Sequence, residues 1–278
     1  MMLRSLVNGV SSEHIALEDR GFNYGDGVFE TILIADGVAV WWEAHLARLR
    51  RGCDALRIEC PPAELLSREV QSLMAGDLRM VLKLTVTRGV SGRGYGAASD
   101  AAPTRVLTLH PTPRLNPIDY CEGIALRWCD TRLAIQPRLA GIKHLNRLEQ
   151  VLARSEWTDA ALAEGLMRDF DGRAVCATAA NLFLVRDGRV LTPALERCGI
   201  AGVCRAWVLQ HLRVQVCDLI PTEIESADEL FLTSSLRGIL PVARLDGRRW
   251  TPGAMTQQLQ HALWREVPAL RPQPEVLT

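Results

Sequence analysis

Lysine is almost missing from this chain. Of its 32 basic residues, all but Lys83 and Lys143 are arginine. A bias in nucleotide composition accounts for the arginines. A lysine kept against that bias can mark a place where arginine will not serve, because an amine can lose its proton and form an imine while a guanidinium cannot. Charge of one sign is absent as well: 32 acidic residues balance the 32 basic ones, and aromatics make up only 5%. No basic run or basic–aromatic stripe is left to hold a nucleic acid. The eight cysteines, at 53, 60, 121, 129, 176, 198, 204 and 217, contain no CxxC pair and no cysteine–histidine cluster of zinc spacing. They read as small buried apolar residues of a reducing compartment, with no metal implied. No apolar run nears the ~18 residues that a membrane span requires, and the N-terminal apolar run is too short for a secretory signal, so the expected location is the cytoplasm. The glycines between Gly21 and Gly27 lack the spacing of a dinucleotide or P-loop fingerprint.

What is present is 278 residues, 48% hydrophobic, enough for a large core and two domains acting on a small molecule. A short strand is expected at 2–8, a glycine-rich loop at 19–27, then a strand at 28–34 returning at 38–41 through Asp36-Gly37. Leu46, Leu49, Cys53 and Leu56 share one face of a helix at 43–57. A second helix is expected at 63–75, with strands at 80–86 and 104–110. Three prolines between Pro111 and Pro117 mark a linker. Beyond it come a strand at 123–130 and a helix running from the Lys143 segment to about 157, with Leu145, Leu148 and Leu152 on one face. Hairpins follow at 164–177 and 181–191, a helix at 203–213, strands at 214–219 and 229–233, and a closing helix at 252–266. The alternating strands point to a closed or nearly closed sheet.

Several positions carry possible chemistry. Lys143 is either an imine-forming amine or an ordinary surface lysine at a helix start; Lys83, in mid-strand, is structural. His45 and Arg48 flank the apolar stripe of the first long helix, where a solvated helix edge is the simpler reading. Arg88 and Arg93, in a loop, either meet a carboxylate or are idle surface charge. Gly199 to Gly202 precede a helix whose free amides, at Val203 and Cys204, suit an anion. Thr233, Ser234 and Ser235 offer hydroxyls at a strand end.

Together these segments resemble the class IV pyridoxal-phosphate (PLP) aminotransferase-like enzymes. The resemblance covers nearly the whole chain. It rests on Ala140-Gly141-Ile142-Lys143-His144-Leu145-Asn146-Arg147-Leu148-Glu149-Gln150, on Thr87-Arg88-Gly89 with Gly92-Arg93-Gly94-Tyr95, and on Gly25-Asp26-Gly27-Val28-Phe29-Glu30. It implies an α+β, two-domain fold of the D-amino-acid aminotransferase type: a small N-terminal α/β domain at 1–111, a linker at 112–120, and a larger barrel-like β domain with helices at 121–278. It implies that Lys143 holds PLP as an imine, that Arg48, the amides of Val203 and Cys204, and Ser235 bind the phosphate, and that Thr31 faces the cofactor. Arg88 and Arg93 become candidates for substrate carboxylates. Within the family, the first two segments resemble a lyase branch that releases pyruvate from 4-amino-4-deoxychorismate and leaves 4-aminobenzoate. A D-amino-acid or branched-chain aminotransferase, or a PLP-binding protein without activity, is the alternative. A homodimer is implied too. One position departs from the pattern. Where the family carries a glutamate beside the pyridine nitrogen, five residues before Asn181, this chain has Cys176. A thiol makes a weaker electron sink unless a neighbour such as Thr178 helps. Aromatisation would compensate in an elimination, and nothing would compensate in a transamination.

Overall fold

The computed structural model describes residues 4–74, 79–96 and 101–272. Residues 2 and 3 of the first expected strand, residue 75 of the second expected helix, and 273–278 of the second expected domain lie outside them. The chain divides into two compact units, one formed by residues 1–113 with 142–146, the other by 114–141 with 147–278.

The first unit contains β1 (Arg4–Val7), β2 (Val10–Ser11), α1 (Arg20–Tyr24), β3 (Gly27–Ala35), β4 (Val38–Ala39), α2 (Trp42–Leu56), α3 (Ala63–Leu73), β5 (Arg79–Thr87) and β6 (Thr104–Pro111). Its strands lie in the order β2-β1-β6-β5-β3-β4, each pair antiparallel. The longest pairing runs from Gly27 opposite Thr87 to Ala35 opposite Arg79. Side chains alternate along β3, and the even positions Val28, Ile32 and Ile34 join Leu46, Leu49 and Cys53 of α2 and Leu66, Val70 and Leu73 of α3 in one core. Glu30 is in phase with that apolar set and is only 1% exposed.

Residues 142–146 belong to this unit by hydrogen bonding. Phe29 N–H donates to the Lys143 carbonyl (2.9 Å), Leu145 N–H donates to the Gly27 carbonyl (2.9 Å), and His144 bridges antiparallel to Val28. The expected helix from Lys143 therefore begins later. The segment is extended along β3, and α5 covers only Leu148–Arg154. Leu145, expected on one helix face with Leu148 and Leu152, lies before that helix, and the other two are exposed on it.

The second unit contains α4 (Pro117–Cys121), β7 (Ile124–Leu133), α5, β8 (Glu164–Asp169), β9 (Ala174–Ala177), β10 (Asn181–Arg186), β11 (Arg189–Pro193), α6 (Val203–His211), β12 (Val214–Cys217), α7 (Pro221–Glu225), β13 (Glu229–Ser234), β14 (Gly238–Leu245), β15 (Arg248–Arg249) and α8 (Ala254–Glu266). The strand path is β12-β11-β10-β13-β14-β7-β8-β9, with β15 on β14. A further pairing of β9 with β10, at Cys176 and Asn181, closes the ring from β10 round to β9 into a barrel. Its core holds Leu126, Leu166, Leu182, Leu184, Leu230 and Leu232. A smaller cluster gathers Cys129, Met167, Val175, Cys176 and Cys198 with Ala153 and Trp157.

Candidate active site

The candidate residues fall into two groups, one in each unit. In the first unit the organising group is the Glu30 carboxylate. A buried charge in an apolar face must be paired. Helix α2 supplies the partners one turn apart: Arg48 Nε donates to Oε1 (2.8 Å), Arg48 Nη2 donates to Oε2, and His45 Nδ1 lies 2.6 Å from Oε2. His45 is 0% and Arg48 4% exposed, so the solvated helix edge is excluded for both. Burial alone would raise the Glu30 pKa; the hydrogen bonds from Arg48 and then His45, with their charges, outweigh it and hold it below the usual carboxylate range. His45 moves down as well, first through burial, with Glu30 opposing and the Arg48 and Lys143 charges adding to the fall.

Lys143 is half-buried, and its Nζ stands 4.4 Å from the centroid of the Phe29 ring. The chain's other lysine, Lys83, also approaches that ring, at 5.5 Å, from its place on β5 opposite Thr31. The glycine loop anchors the Lys143 segment from the other end. Asn146 Nδ2 donates to the Gly25 carbonyl (3.1 Å), and Gly25 caps α1 at φ +64°, where a Cβ would stand 2.6 Å from Asn146 Oδ1.

In the second unit Asn181 is the hub. Its Nδ2 donates to the Ile200 carbonyl (2.8 Å) and its Oδ1 accepts from Gly202 N–H (3.1 Å), while its backbone pairs with Cys176 and Thr233. Gly202 is the N-cap of α6, which has no side-chain cap and no acidic residue in its first turn. The opening amides of such a helix, at Val203 and Cys204, have no partner within the helix and face outward with the positive end of the dipole. The Cys204 sulfur accepts a hydrogen bond from the Ser234 amide, which ties the helix start to the end of β13, beside Ser235. Thr233 Oγ1 is buried with no hydrogen-bond partner among the described residues.

Cys176 is buried, and its thiol is pushed up to about 12, chiefly by burial, with Cys198 adding and Arg147 opposing. It is neutral at working pH. Thr178 does not assist it: its hydroxyl donates to Glu164, which also accepts from Arg237 Nη2. Glu164, 3% exposed, is a buried carboxylate that sequence reasoning missed.

The two arginines expected at substrate carboxylates are not brought together. Arg88 Nε and Nη2 hold both oxygens of Asp26, while Nη1 and Nη2 donate to the carbonyls of Arg57 and Leu56 at the end of α2. Four of its five N–H groups are thus committed to structure. Arg93 is exposed in the loop. Arg20 was also missed. It is buried, binds Asp26 through Nε, and holds the Gly94 and Tyr95 carbonyls with its two terminal nitrogens, fixing that same loop.

The chain matches the amino-transferase class IV family model over residues 27–245. It is 35% identical to the aminodeoxychorismate lyase of Vibrio harveyi, over 91% of this chain and 97% of that protein. It is 30% identical to a putative branched-chain-amino-acid aminotransferase of Methanocaldococcus jannaschii, over 84% of this chain and 83% of that one. Its structure superposes on the crystal structure of 4-amino-4-deoxychorismate lyase from Pseudomonas aeruginosa with a TM-score of 0.91 and 43% identity, covering 95% of this chain and 99% of that one. The fold and the paired groups described above define a class IV enzyme of the α+β type. The chain belongs to the class IV aminotransferase family.

Enzymes of this class carry PLP. The residues present fit it. In the first unit the Arg48 guanidinium lies beside the His45 ring, on which the Lys143 charge also acts. The second unit supplies an uncapped helix start whose N-cap glycine is pressed against Asn181, a Cβ there standing 2.1 Å from Oδ1.

Proposed function

We propose that the chain is an aminodeoxychorismate lyase, converting 4-amino-4-deoxychorismate into 4-aminobenzoate and pyruvate. The observation that carries this is its likeness, over more than nine-tenths of its length, to two lyases named for that reaction. The branched-chain relative matches at lower identity over less of the chain.

In this reading Lys143 carries PLP covalently through Nζ. Arg48, the Val203 and Cys204 amides and Ser235 hold the phosphate, and Thr31, beside Glu30 on β3, faces the cofactor. When bound, PLP supplies an electron sink for the pair released at the amine-bearing carbon. The chain's own part is to position and to move protons. Lys143, once its amine is released, takes the proton from that carbon. The adjacent C–O bond breaks, Lys143 returns that proton to the departing oxygen so that pyruvate leaves as its enol, and the ring becomes aromatic. The Phe29 ring lies 4.4 Å from Nζ and attracts it while it carries a proton. Cys176 stands in neutral form at the position where the family has a glutamate, and the elimination proceeds on the driving force of aromatisation. Arg93 is the remaining candidate for a substrate carboxylate.

The protein is further proposed to act in the cytoplasm as a homodimer. No helix among the described residues is long and apolar enough to cross a membrane. Leu148, Val151 and Leu152 form an apolar stripe on α5 that is 56–75% exposed, a surface that a second copy would cover. Leu148→Asp with Leu152→Asp is expected to yield a monomer in analytical ultracentrifugation, while the wild type sediments as a dimer.

The test of the activity is incubation of purified, PLP-loaded protein with 4-amino-4-deoxychorismate. Equal amounts of 4-aminobenzoate, read by chromatography, and pyruvate, read by lactate dehydrogenase, are expected, with Lys143→Ala giving neither. Amino transfer between an amino acid and a keto acid without those products would make the chain an aminotransferase instead.

A further inference from the structure

Two cysteines of the first unit meet at the end of α2, and the lyase reaction makes no use of either. Helix α2 ends with Arg57 in the left-handed region, at φ +55°. Arg57 N–H donates to the Asp54 carbonyl (3.0 Å), and Ile58 N–H donates to the Cys53 carbonyl (2.8 Å). That crossed pair folds the departing chain back over the last helical turn. The turn brings Cys60 to the same apolar cluster as Cys53: Cys53 and Ile58 belong to the core of this unit, and Cys60 packs against it. There the Cys53 thiol donates a hydrogen bond to the Cys60 sulfur. Arg50, one turn earlier on α2, donates a second.

The two sulfurs are unequal. Cys53 is 0% exposed, and its thiol is held protonated by the bond it donates and then by burial. Cys60 is half-buried. The bond it accepts from Cys53, with the Arg50 charge, outweighs burial and the Asp54 charge and favours its thiolate. The cysteines gathered in the second unit differ, since burial raises the thiols of Cys129, Cys176 and Cys198 alike. Cys60 is thus a reachable nucleophile with a buried thiol in contact behind it, which is how a reactive cysteine and its resolving partner are placed.

We propose that Cys60 and Cys53 form a peroxide-oxidisable pair: Cys60 takes the oxygen, and Cys53 closes a disulfide that ties the last turn of α2 to the segment leading into α3. The oxidant is a hydroperoxide. The Cys60 sulfur attacks its outer oxygen. An S–O bond forms, the O–O bond breaks, and the departing oxygen takes a proton and leaves as an alcohol, or as water from hydrogen peroxide. The sulfur has given two electrons to the peroxide and stands as a sulfenic acid. The Cys53 thiol then loses its proton, and its sulfur attacks that of Cys60. An S–S bond forms, the S–O bond breaks, and hydroxide leaves with that proton as water. Sulfurs in hydrogen-bond contact have little distance left to travel to the ~2 Å of the bond. A thiol reductant restores the pair, whose reduced form is the resting one in a reducing compartment. Neither sulfur is among the groups assigned to the lyase reaction, so the pair stands or falls apart from that reading.

The test is a peptide map of the whole chain, reduced, freed of reductant, treated at pH 7 with a small molar excess of hydrogen peroxide, blocked with N-ethylmaleimide and digested with trypsin. Trypsin cuts after Arg57, between the two cysteines, so the disulfide joins peptides 52–57 and 58–68. The joined species is lighter by two hydrogen atoms than the two free peptides together. It is expected as the first cysteine product, and dithiothreitol should abolish it. In Cys53→Ala, dimedone should tag Cys60 instead; should that variant not fold, the wild-type map decides alone. Prior oxidation of other cysteines, Cys60 joined to any cysteine but Cys53, Cys60 passing to the sulfinic acid with no joined species, or a folded Cys53→Ala chain left untagged at Cys60 overturns the proposal.

Discussion

Glu30→Gln is the sharpest probe of the first unit. The substitution preserves shape and removes only the charge. Glu30 accepts three hydrogen bonds, two from Arg48 and one from His45, and both partners are almost wholly buried. A glutamine oxygen can keep one or two of them, but its amide places hydrogens against the donors of Arg48, and the guanidinium loses its carboxylate counterion. Breaking a buried pair by removing one partner costs about 3–5 kcal/mol. With a urea slope of about 1–3 kcal/mol/M, the midpoint should fall by at least about 1 M in a circular-dichroism titration at pH 7. The pH dependence supplies an internal control. The folded pKa of Glu30 is depressed below its reference of 4.5. Its contribution is therefore complete above that reference value and is lost as pH falls through the folded value. The difference between wild type and variant must shrink on the acid side. A loss under about 1 kcal/mol, the worth of an exposed pair, or a gap undiminished in acid, would refute the argument that this carboxylate carries buried charge for the site.

Gly202→Ala tests the helix start in the second unit. At φ −68° the backbone is unstrained for alanine, so the whole cost is the collision of Cβ with Asn181 Oδ1 at 2.1 Å; losing two hydrogen bonds of Asn181 should cost about 2–4 kcal/mol in urea unfolding and weaken PLP binding at least tenfold, and an unchanged affinity would remove α6 from the phosphate site. Cys60 should be alkylated by iodoacetamide with a pH profile centred below the ordinary thiol value of about 8.5, since the hydrogen bond from Cys53, helped by Arg50, outweighs burial and lowers its pKa; a profile centred at or above that value would refute that contact. Cys176→Glu should leave the lyase rate within about tenfold of wild type, as pre-steady-state release of pyruvate would show; a rise of orders of magnitude with no gain in transamination would sink the idea that aromatisation replaces a strong electron sink.

Much of the fold was legible because it is written locally. Asp-Gly turns at 36–37, 187–188 and 246–247 end strands whose alternation is plain, and the structure places Asp36, Asp187 and Asp246 at positive φ as such turns require. The apolar spacing of α2 survives in its buried Leu46, Leu49 and Cys53. The course of 142–146 was not legible. Those residues read as the opening turn of a helix, and only their backbone bonds to Gly27 and Phe29, more than a hundred residues away, make them extended. Leu148 and Leu152 do lie on α5, and they are exposed there. Arg88 and Arg20 show a related limit. Arginines in glycine-rich loops look available for ligands in the sequence, while Asp26, set between Gly25 and Gly27, draws both of them inward. Glu30 did leave a signal. It stands in phase with Val28, Ile32 and Ile34, where a lone carboxylate demands a buried partner, and His45 and Arg48 sit one helical turn apart to meet it.

The polar groups gathered in the two units differ in kind. The first relies on charge: Glu30 orients Arg48 and His45 by direct hydrogen bonds, at the expense of neutralising one of them. The second relies on uncharged groups, namely helix amides freed by a glycine cap, an asparagine that fixes that cap, and hydroxyls at the end of β13. Ionisable groups that could disturb this second set are kept silent. Burial holds the Cys176 and Cys204 thiols protonated, and Glu164 is occupied by Thr178 and Arg237. A carboxylate at position 176 would have to be accommodated in a cluster of Cys129, Met167, Val175 and Cys198, an apolar setting that opposes ionisation. The cysteine is therefore matched to its surroundings as well as to the reaction. An elimination that ends in an aromatic ring asks less of the electron sink, and the cluster around Cys176 meets the thiol chiefly with burial, opposed by the charge of Arg147.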